Sequence, residues 1–242
     1  MLFKNKSSNI NDVEFIIPSV NRNIKSPHPY KGTLISVEGT DGSGKSTQLS
    51  LLKKWLESEG YGTVLTAWNS SELVSKIIKK GKKLGILNNT TFSILHATDF
   101  ADRLNNTIIP ALKEGLIVLA DRYIYTALAR DVARNCNKDW VRNLYSFSIK
   151  PDGVFYFKVP VEVSLERITQ TRMPSYYEAG MDMKLSSDIL KNYVLFQSKV
   201  ISEYESMATE FDFDVLDGTH PIPVQQKKFR AAVNKIIKRK NA

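Results

Sequence analysis

Apolar runs and helical stripes alternate along the chain from residue 33 onward. Five short runs predict strands, and a wholly apolar strand is typical of a parallel sheet that is covered on both faces. The predicted strands are 33–38, 61–68, 116–120, 153–158 and 213–216. Apolar residues at helical spacing predict helices at 46–59, 71–83, 91–112, 161–171, 186–207 and 222–240. The alternation predicts an α/β fold, in which a five-stranded parallel sheet carries helices on both faces.

The first 31 residues do not follow this alternation. Pro18, Pro27 and Pro29 interrupt any long periodic segment, and Asn and Ser are frequent around them. We expect residues 1–31 to form an N-terminal extension. Residues 32–242 are expected to form one domain, because a chain of this size can bury a single large core.

Charge and composition narrow the range of partners. The net charge is +9, but seven basic residues and no acidic residue lie in 227–242, where a basic helix is typically a solvated face. We therefore expect no nucleic-acid partner. No apolar run reaches the roughly 18 residues of a membrane span, so a membrane partner is not expected either. With Cys136 as the only cysteine, neither an internal disulfide nor a Cys-based metal site is expected, and a cytoplasmic location follows by default.

Residues 39–46 read Gly-Thr-Asp-Gly-Ser-Gly-Lys-Ser and match the P-loop pattern G-x-x-x-x-G-K-[S/T]. The motif follows an apolar strand and opens a helix, so backbone N–H groups and the positive helix end can face phosphate oxygens. Lys45 is expected to reach the β- and γ-phosphates, and Ser46 to ligate Mg²⁺. The motif predicts the three-layer sandwich of the P-loop NTPases. The residues expected to bind the nucleotide here are Gly39, Asp41, Gly42, Ser43, Gly44, Lys45, Ser46 and Thr47.

A charged triplet, Asp121-Arg122-Tyr123, follows the third apolar run. Its acid lies where a group that supports the metal would sit, at the carboxyl edge of a parallel strand beside the P-loop. Arg122 offers forked donors that match phosphate oxygens and could bridge donor and acceptor phosphates. The guanine-reading tetrapeptide Asn-Lys-x-Asp is absent from the sequence, which argues against a switch GTPase.

These motifs stand in an order and spacing that make residues 32–240 resemble the thymidylate kinase family of nucleoside monophosphate kinases. The matching pieces are 37–48 at the P-loop, 101–103, 109–112, 119–123 and 165–168. The resemblance implies ATP as the phosphoryl donor, Mg²⁺ as a cofactor, a nucleoside monophosphate as the acceptor and a homodimer.

The resemblance also implies roles on the acceptor side. Asp41 resembles the acid that faces the acceptor sugar and phosphate. Arg103 resembles the arginine that holds the acceptor base, and Arg122 the arginine that contacts the acceptor phosphate. Asp121 would support the metal and its waters.

A lid at about 172–184 is implied as well. Arg167 and Arg172 flank it, where the family places arginines that close over the moving phosphoryl group. Gly218 belongs to a segment that resembles the loop beside the adenine of ATP. The expected catalytic residues are Asp41, Lys45, Arg122 and Arg172.

The sequence departs from the family pattern on the acceptor side. Asp99 stands where a base-stacking Phe is usual, although Phe100 is adjacent, and 67–70 replaces a segment that normally contains an arginine. Arg130 stands where an aromatic residue is usual, and 173–178 lacks the dense basic pattern of the lid. The residues expected to bind the acceptor are Asp41, Asp99, Phe100, Arg103, Arg122 and Arg130.

The function that these features predict is ATP-dependent phosphorylation of a nucleoside monophosphate, dTMP to dTDP. A phosphate-oxygen acceptor needs no strong base, which agrees with the isolated positions of His28, His96 and His220. Two alternatives stay open. The altered acceptor positions favour a kinase for another nucleotide, nucleoside or small molecule, and the sparse lid favours a non-catalytic nucleotide-binding regulator.

Overall fold

The strands of the computed structural model, which describes residues 27–241, form one parallel sheet in the order β2-β3-β1-β4-β5. They are β1 (Thr33–Glu38), β2 (Thr63–Ala67), β3 (Ile117–Asp121), β4 (Gly153–Lys158) and β5 (Asp214–Asp217). The predicted five-stranded parallel sheet is confirmed. Boundaries coincide with the prediction at β1 and β4 and differ by one or two residues at the other three strands.

Nine α-helices connect and flank these strands in the described part of the chain. They are α1 (Lys45–Ser58), α2 (Ser75–Leu84), α3 (Asn89–Arg103), α4 (Ile109–Lys113), α5 (Ile124–Ala133), α6 (Lys138–Leu144), α7 (Val161–Thr169), α8 (Ile189–Glu210) and α9 (Ile222–Asn241). None of them is long and apolar enough to cross a membrane. The short helix α6 was not predicted, because its seven residues span only two turns and are too few to show a helical period.

The long helix predicted at 91–112 is interrupted. A π-helical turn, Leu104–Ile108, separates α3 from α4. Pro110 lies at the start of α4 and has no backbone N–H, so the hydrogen bond to the carbonyl four residues earlier is missing. A wider turn at this point accommodates the proline, as inserted turns in long helices commonly do.

Two apolar clusters lie on opposite faces of the sheet and give it three layers. Leu34 and Val118 point into one cluster, together with Phe100 of α3 and Tyr204 of α8. The next residue of β1, Ile35, points into the other cluster, where residues of α1 and α9 cover the sheet. Successive strand residues face opposite sides, so all six residues of β1 are buried. This burial explains the unbroken apolar run that the strand shows in the sequence.

The sheet brings two chemistry-bearing segments together at its carboxyl edge. The strand β1 pairs with β3 so that Val37 lies opposite Asp121. Because parallel strands end at the same edge, the P-loop that follows β1 and the charged triplet that closes β3 become neighbours. Ligands of such sheets bind at the carboxyl ends of the strands, at the point where the strand order reverses.

The last residues of the predicted N-terminal extension contact the domain. Pro27 forms a parallel bridge with Lys150, and the Nε2 atom of His28 lies 2.9 Å from Asp152. Asp152 also accepts a hydrogen bond from Lys240 at the end of α9. The rest of the predicted extension, residues 1–26, lies outside the described residues.

Candidate active site

The P-loop joins β1 to α1 and turns back over the sheet edge. Gly42 has a φ of 79°, and a Cβ atom built there would lie 2.6 Å from the carbonyl oxygen of Ser164. Gly44 has a φ of 86° and caps the N-terminus of α1. Both positions require glycine, because L side chains rarely adopt this conformation and Gly42 leaves no room for one. The turn thereby directs the helix N-terminus toward the space above the loop.

Polar groups of the P-loop are arranged for an anion. The Nζ atom of Lys45 donates to the carbonyl of Thr40 at 2.8 Å. Burial first, and then the charge of Arg122, lower the pKa of Lys45 to about 8. Within the described structure, the buried hydroxyls of Thr40 and Ser43 have no hydrogen-bond partner. A buried cation and orphaned hydroxyls beside a helix N-terminus favour the binding of a phosphate chain.

Ser46 and Asp121 meet at the opposite end of the loop. The Oγ atom of Ser46 donates to the Oδ2 atom of Asp121 at 2.6 Å. Both are hard oxygen ligands, and Mg²⁺ typically takes one or two protein ligands and keeps several waters. This pair fits Mg²⁺ on that ground, although the described residues contain no group of three or more His, Cys, Asp or Glu side chains that could hold a metal. Thr47 follows on the exposed first turn of α1.

Asp41 connects the P-loop to two arginines. It accepts hydrogen bonds from Arg122, at 2.5 Å, and from Arg130. Burial raises the pKa of Asp41, but attraction to Arg122, Arg130 and Lys45 outweighs burial and holds the pKa well below its usual range. Asp41 therefore stays ionised and fixes both guanidinium groups beside the P-loop.

Arg122 adopts a backbone conformation that is rare for a side chain of its size. Its φ is 74°, and its backbone N–H donates to the carbonyl of Val37 at 3.0 Å. Its Nη1 atom donates to the carbonyl of Gly39 at 3.0 Å. Such strained positions persist where the surrounding contacts determine them, and they concentrate at functional sites. Here the strain turns the guanidinium back across the P-loop.

Glu38 is a site residue that the sequence analysis missed. It is fully buried and accepts hydrogen bonds from the backbone N–H of Tyr123 (2.7 Å), from Thr126 (2.7 Å) and from Tyr204 (3.2 Å). Burial raises the pKa of Glu38 to about 7, against the opposing effect of these hydrogen bonds. The carboxyl group thus ties the end of β1 to α5 and α8. In the sequence, Glu38 is marked only by being the one acidic residue at the end of an apolar strand.

Gly218 lies beside the P-loop, where the sequence analysis expected the adenine side. Its N–H donates to the carbonyl of Lys158 at 2.8 Å, and a Cβ atom there would approach the carbonyl of Ser43 within 3.1 Å. Arg167 joins the two segments, since it donates to the carbonyls of Gly42 (3.3 Å) and Gly218 (2.9 Å). Contact between Gly218 and ATP stays a prediction.

Arg172 begins the predicted lid and pairs with Glu178. The guanidinium donates through Nη1 and Nη2 to the two carboxylate oxygens at 2.7 and 2.9 Å. The side chain of Arg172 is 54% exposed, whereas that of Glu178 is 8% exposed. Glu178 is held in turn, because its carbonyl accepts from the side chain of Gln197 at 2.8 Å. The arginine is therefore close to the surface and restrained by a fixed carboxylate.

Arg134, a second residue that the sequence analysis missed, fastens the middle of the predicted lid. Its buried guanidinium lies between the rings of Phe92 and Phe196, 4.6 and 4.5 Å from their centroids. It donates to the carbonyl of Tyr177 at 2.6 Å and to Asp182 at 2.8 Å. These contacts attach the segment to α3, α5 and α8.

Three predicted acceptor-binding residues form contacts within the protein. Asp99 is fully buried and accepts from the backbone of Asn69 and Ser71 and from the Nε atom of Arg103 at 2.9 Å. Phe100 is fully buried in the apolar cluster that contains Leu34. Arg103 is 3% exposed, its guanidinium carbon lies 5.5 Å from the ring centroid of Trp68, and it lines a separate cavity of about 700 Å³. A substrate role for Asp99, Phe100 and Arg103 stays a prediction.

A cavity of about 490 Å³ opens beside Asp41, and those three residues do not line it. We call it the lid cavity, because one wall is the segment 172–178. Its lining residues are Asp41, Lys82, Lys83, Phe92, Arg130, Arg172, Ser175, Tyr176, Tyr177 and Glu178. Of these, the sequence analysis had singled out Asp41, Arg130 and Arg172. Residues 175–178 of the lining lie in the predicted lid. Lys82, Lys83 and Phe92 come from α2 and α3, and no motif marks them.

A parallel sheet with a P-loop, a lysine, a Ser–Asp pair and converging arginines at its carboxyl edge defines a P-loop phosphotransferase. The family model for thymidylate kinase matches residues 37–210. A probable thymidylate kinase 2 of Saccharolobus solfataricus is 44% identical over 209 residues, which cover 86% of this chain and 98% of that protein. A probable thymidylate kinase of Thermococcus kodakarensis is 34% identical over 187 residues, 72% of this chain and 91% of that protein. The chain belongs to the thymidylate kinase family.

Proposed function

We propose that this chain transfers the γ-phosphoryl group of ATP to the phosphate of dTMP and releases ADP and dTDP. One observation carries the proposal: Asp41 holds two arginines at the boundary between the P-loop and the cationic lid cavity. A donor phosphate chain on the P-loop and an acceptor phosphate in the cavity would therefore meet beside Arg122. The names of the relatives support dTMP as the acceptor.

In the proposed reaction, an oxygen of the acceptor phosphate forms the new bond to the γ-phosphorus while the bond to the β,γ-bridging oxygen breaks. The acceptor oxygen is already ionised, so no side chain has to remove a proton. Lys45 and Arg122 neutralise the charge on the moving group and its leaving oxygen, and Arg172 joins them when it leaves Glu178. Catalysis then consists of positioning and electrostatic stabilisation.

Ser46 and Asp121 would hold Mg²⁺ in this proposal. The ion would supply charge neutralisation at the phosphate oxygens of the donor. We also propose that residues 32–242 form one domain with a lid at about 172–184, and that the protein is cytoplasmic.

A homodimer is the proposed assembly. Large apolar side chains that are about half or more exposed are concentrated in the segment 73–94, where a surface of this kind is typical of a protein interface. They are Leu73 (66%), Ile77 (58%), Leu84 (57%), Ile86 (69%) and Ile94 (46%). Sedimentation equilibrium of the full chain would test it, with Ile77→Glu expected to shift the protein toward the monomer.

A kinase for another acceptor is the second candidate. Trp68 and the buried pair of Asp99 and Arg103 occupy the region in which the sequence analysis expected the acceptor base, and this observation favours a different acceptor. The lid cavity would then receive a group other than thymine.

The test is ADP release by the purified chain with Mg·ATP and a panel of acceptors. The panel contains dTMP, dUMP, dCMP, AMP, GMP and thymidine. We expect the highest kcat/KM with dTMP. A preference for another acceptor would support the second candidate, and turnover with none of them would overturn dTMP as the acceptor. Binding of Mg·ATP without any turnover would favour the nucleotide-binding regulator.

A further inference from the structure

Lys82 points into the lid cavity from the last turn of α2. It is half-buried, and its Nζ atom lies 5.0 Å from the centroid of the Phe92 ring. Its hydrogen-bond partner is the Nε2 atom of His96, at 3.1 Å. Neither the P-loop motif nor the charged triplet includes this lysine.

The tautomer of His96 follows from its second contact. The Nδ1 atom lies 2.7 Å from the carbonyl oxygen of Phe92, which can only accept, so Nδ1 carries the proton. The Nε2 atom therefore accepts from Lys82. Burial, followed by the charge of Lys82, lowers the pKa of His96 well below its usual range, so the ring stays neutral. His96 orients the ammonium group of Lys82 without neutralising its charge.

Lys82 differs from the two arginines of the cavity in having no acidic partner among the described residues. Arg130 pairs with Asp41, and Arg172 pairs with Glu178. Within the described part of the chain, no carboxylate forms an ion pair with Lys82, and two of its three N–H donors have no protein acceptor. An uncompensated cation at a partly buried position is costly unless a ligand supplies the opposite charge.

The second donor in need of a partner is on Arg130. The buried Nε atom of Arg130 has no hydrogen-bond partner among the described residues. Arg130 lines the same cavity, and its charge acts on Lys82. Free donors on two cations around one cavity are the arrangement that a phosphate group requires.

We propose that Lys82, held by His96, anchors the phosphate of the acceptor nucleotide in the lid cavity. The inference rests on the proposed function and names the residue that grips the acceptor, where the segment 67–70 provides no arginine. A phosphate dianion would accept from the two free N–H groups of Lys82 and from Arg130. Asp41 and Arg122 would border the same phosphate on the donor side.

The charge of Lys82 gives the proposal a pH-dependent signature. Burial is the largest cause that lowers the pKa of Lys82 to about 8, followed by Arg130, Arg134 and Arg122, with Asp41 acting in the opposite direction. The neutral ring of His96 and the neighbouring Lys83 complete its surroundings. Affinity for dTMP should therefore fall as the pH rises through 8. The phosphate itself, with its second pKa near 6, stays a dianion over this range.

Calorimetric titration of dTMP into the full chain without ATP tests the anchor. Lys82→Met should weaken dTMP binding by about tenfold or more, the loss expected for a charge-assisted hydrogen bond. Affinity for Mg·ATP and for thymidine should change by less than about twofold. Lys79→Met is the matched control, because Lys79 is exposed on the same helix and does not line the cavity.

Lys82→Arg supplies the second arm. It should restore dTMP binding at pH 7 and abolish the fall in affinity above pH 8, because arginine keeps its charge. Lys45 titrates in the same range, so affinity measured without ATP is the readout rather than kcat. The melting temperature of Lys82→Met should stay close to that of the parent chain, since the loss of an unpaired charge offsets the loss of the donor to the buried Nε2 atom of His96.

The outcomes separate the two proposals. Unchanged dTMP affinity in Lys82→Met, an equal loss in Lys79→Met, or an equal loss of thymidine affinity would overturn the anchor. A parent chain that does not bind dTMP would overturn it as well. A chain that binds dTMP through Lys82 but phosphorylates no acceptor would overturn the proposed function and leave the anchor standing.

Discussion

The proposed donor and acceptor sides of the site are built in different ways. The donor side is one continuous segment, Gly39–Ser46, whose backbone and short side chains form the cradle. The lid cavity on the acceptor side is assembled from long side chains on the P-loop, α2, α3, α5 and the segment 172–178. A continuous loop is fixed by local geometry, whereas an assembled cavity depends on how distant elements pack. The acceptor side can therefore change its specificity while the donor side stays the same.

Lys45→Met should have the largest effect and act on the donor side alone. Loss of the ammonium group removes stabilisation of the transferring phosphoryl group, and kcat should fall roughly a thousandfold. Affinity for dTMP, measured without ATP, should stay within about twofold of the parent chain. Steady-state ADP release and calorimetry measure the two quantities. Turnover near the parent value would contradict the assigned role of Lys45.

Arg122→Lys should have the next largest effect, because Arg122 borders both sides. Lysine keeps the charge but cannot donate to Asp41 and to the carbonyl of Gly39 in the same forked geometry. We expect kcat to fall roughly a hundredfold. Arg130→Lys is the matched control, since Arg130 pairs with the same carboxylate but points into the lid cavity. It should mainly raise KM for the acceptor, and equal effects on kcat would remove the distinction between the two arginines.

The contrast between the two sides also explains what the sequence could predict. Strand order was not predicted, but the strands and their parallel arrangement follow from local patterns. The motif also located Lys45 and Ser46, whose roles at the phosphates and Mg²⁺ stay predictions. Lys82 could not be recognised, because α2 carries several lysines and the sequence does not indicate which one faces the cavity. Arg103 shows the other limit of the sequence: a motif located it, but its contacts with Trp68 and Asp99 became visible only in the structure, and its substrate role stays a prediction.

Glu38→Gln should change how stability depends on pH. The pKa of Glu38 is raised to about 7 from 4.5, so its contribution to the free energy of unfolding is complete below pH 4.5 and is lost as the pH rises through 7. The loss amounts to about 3 kcal/mol by pH 8. Glutamine does not titrate, and its amide can donate to the hydroxyls of Thr126 and Tyr204.

Urea denaturation at pH 5 and pH 8 measures this effect. The free energy of unfolding of the parent chain should fall between pH 5 and pH 8, whereas Glu38→Gln should not show this fall. The variant should therefore be less stable than the parent chain at pH 5, and the difference should shrink at pH 8. Glu57→Gln is the control. Hydrogen bonds from Lys53 and Thr63 lower the pKa of the exposed Glu57, so its contribution to the free energy of unfolding rises with pH instead of falling. Parallel pH profiles for Glu38→Gln and the parent chain would show that Glu38 does not titrate in this range. The link from the P-loop to α5 and α8 would then be permanently charged.

Glu178→Gln should have the smallest effect and tests whether the acceptor side restrains Arg172. An amide offers one oxygen instead of two, so the bidentate pair with Arg172 is lost. A half-exposed ion pair contributes at most about 1 kcal/mol, so kcat should rise by about threefold if Arg172 has to leave Glu178 to reach the phosphoryl group. Arg172→Gln provides the comparison and should lower kcat. If Glu178→Gln lowers kcat as well, the carboxylate positions the arginine for the reaction instead of competing for it, and the lid would act with the ion pair between Arg172 and Glu178 intact.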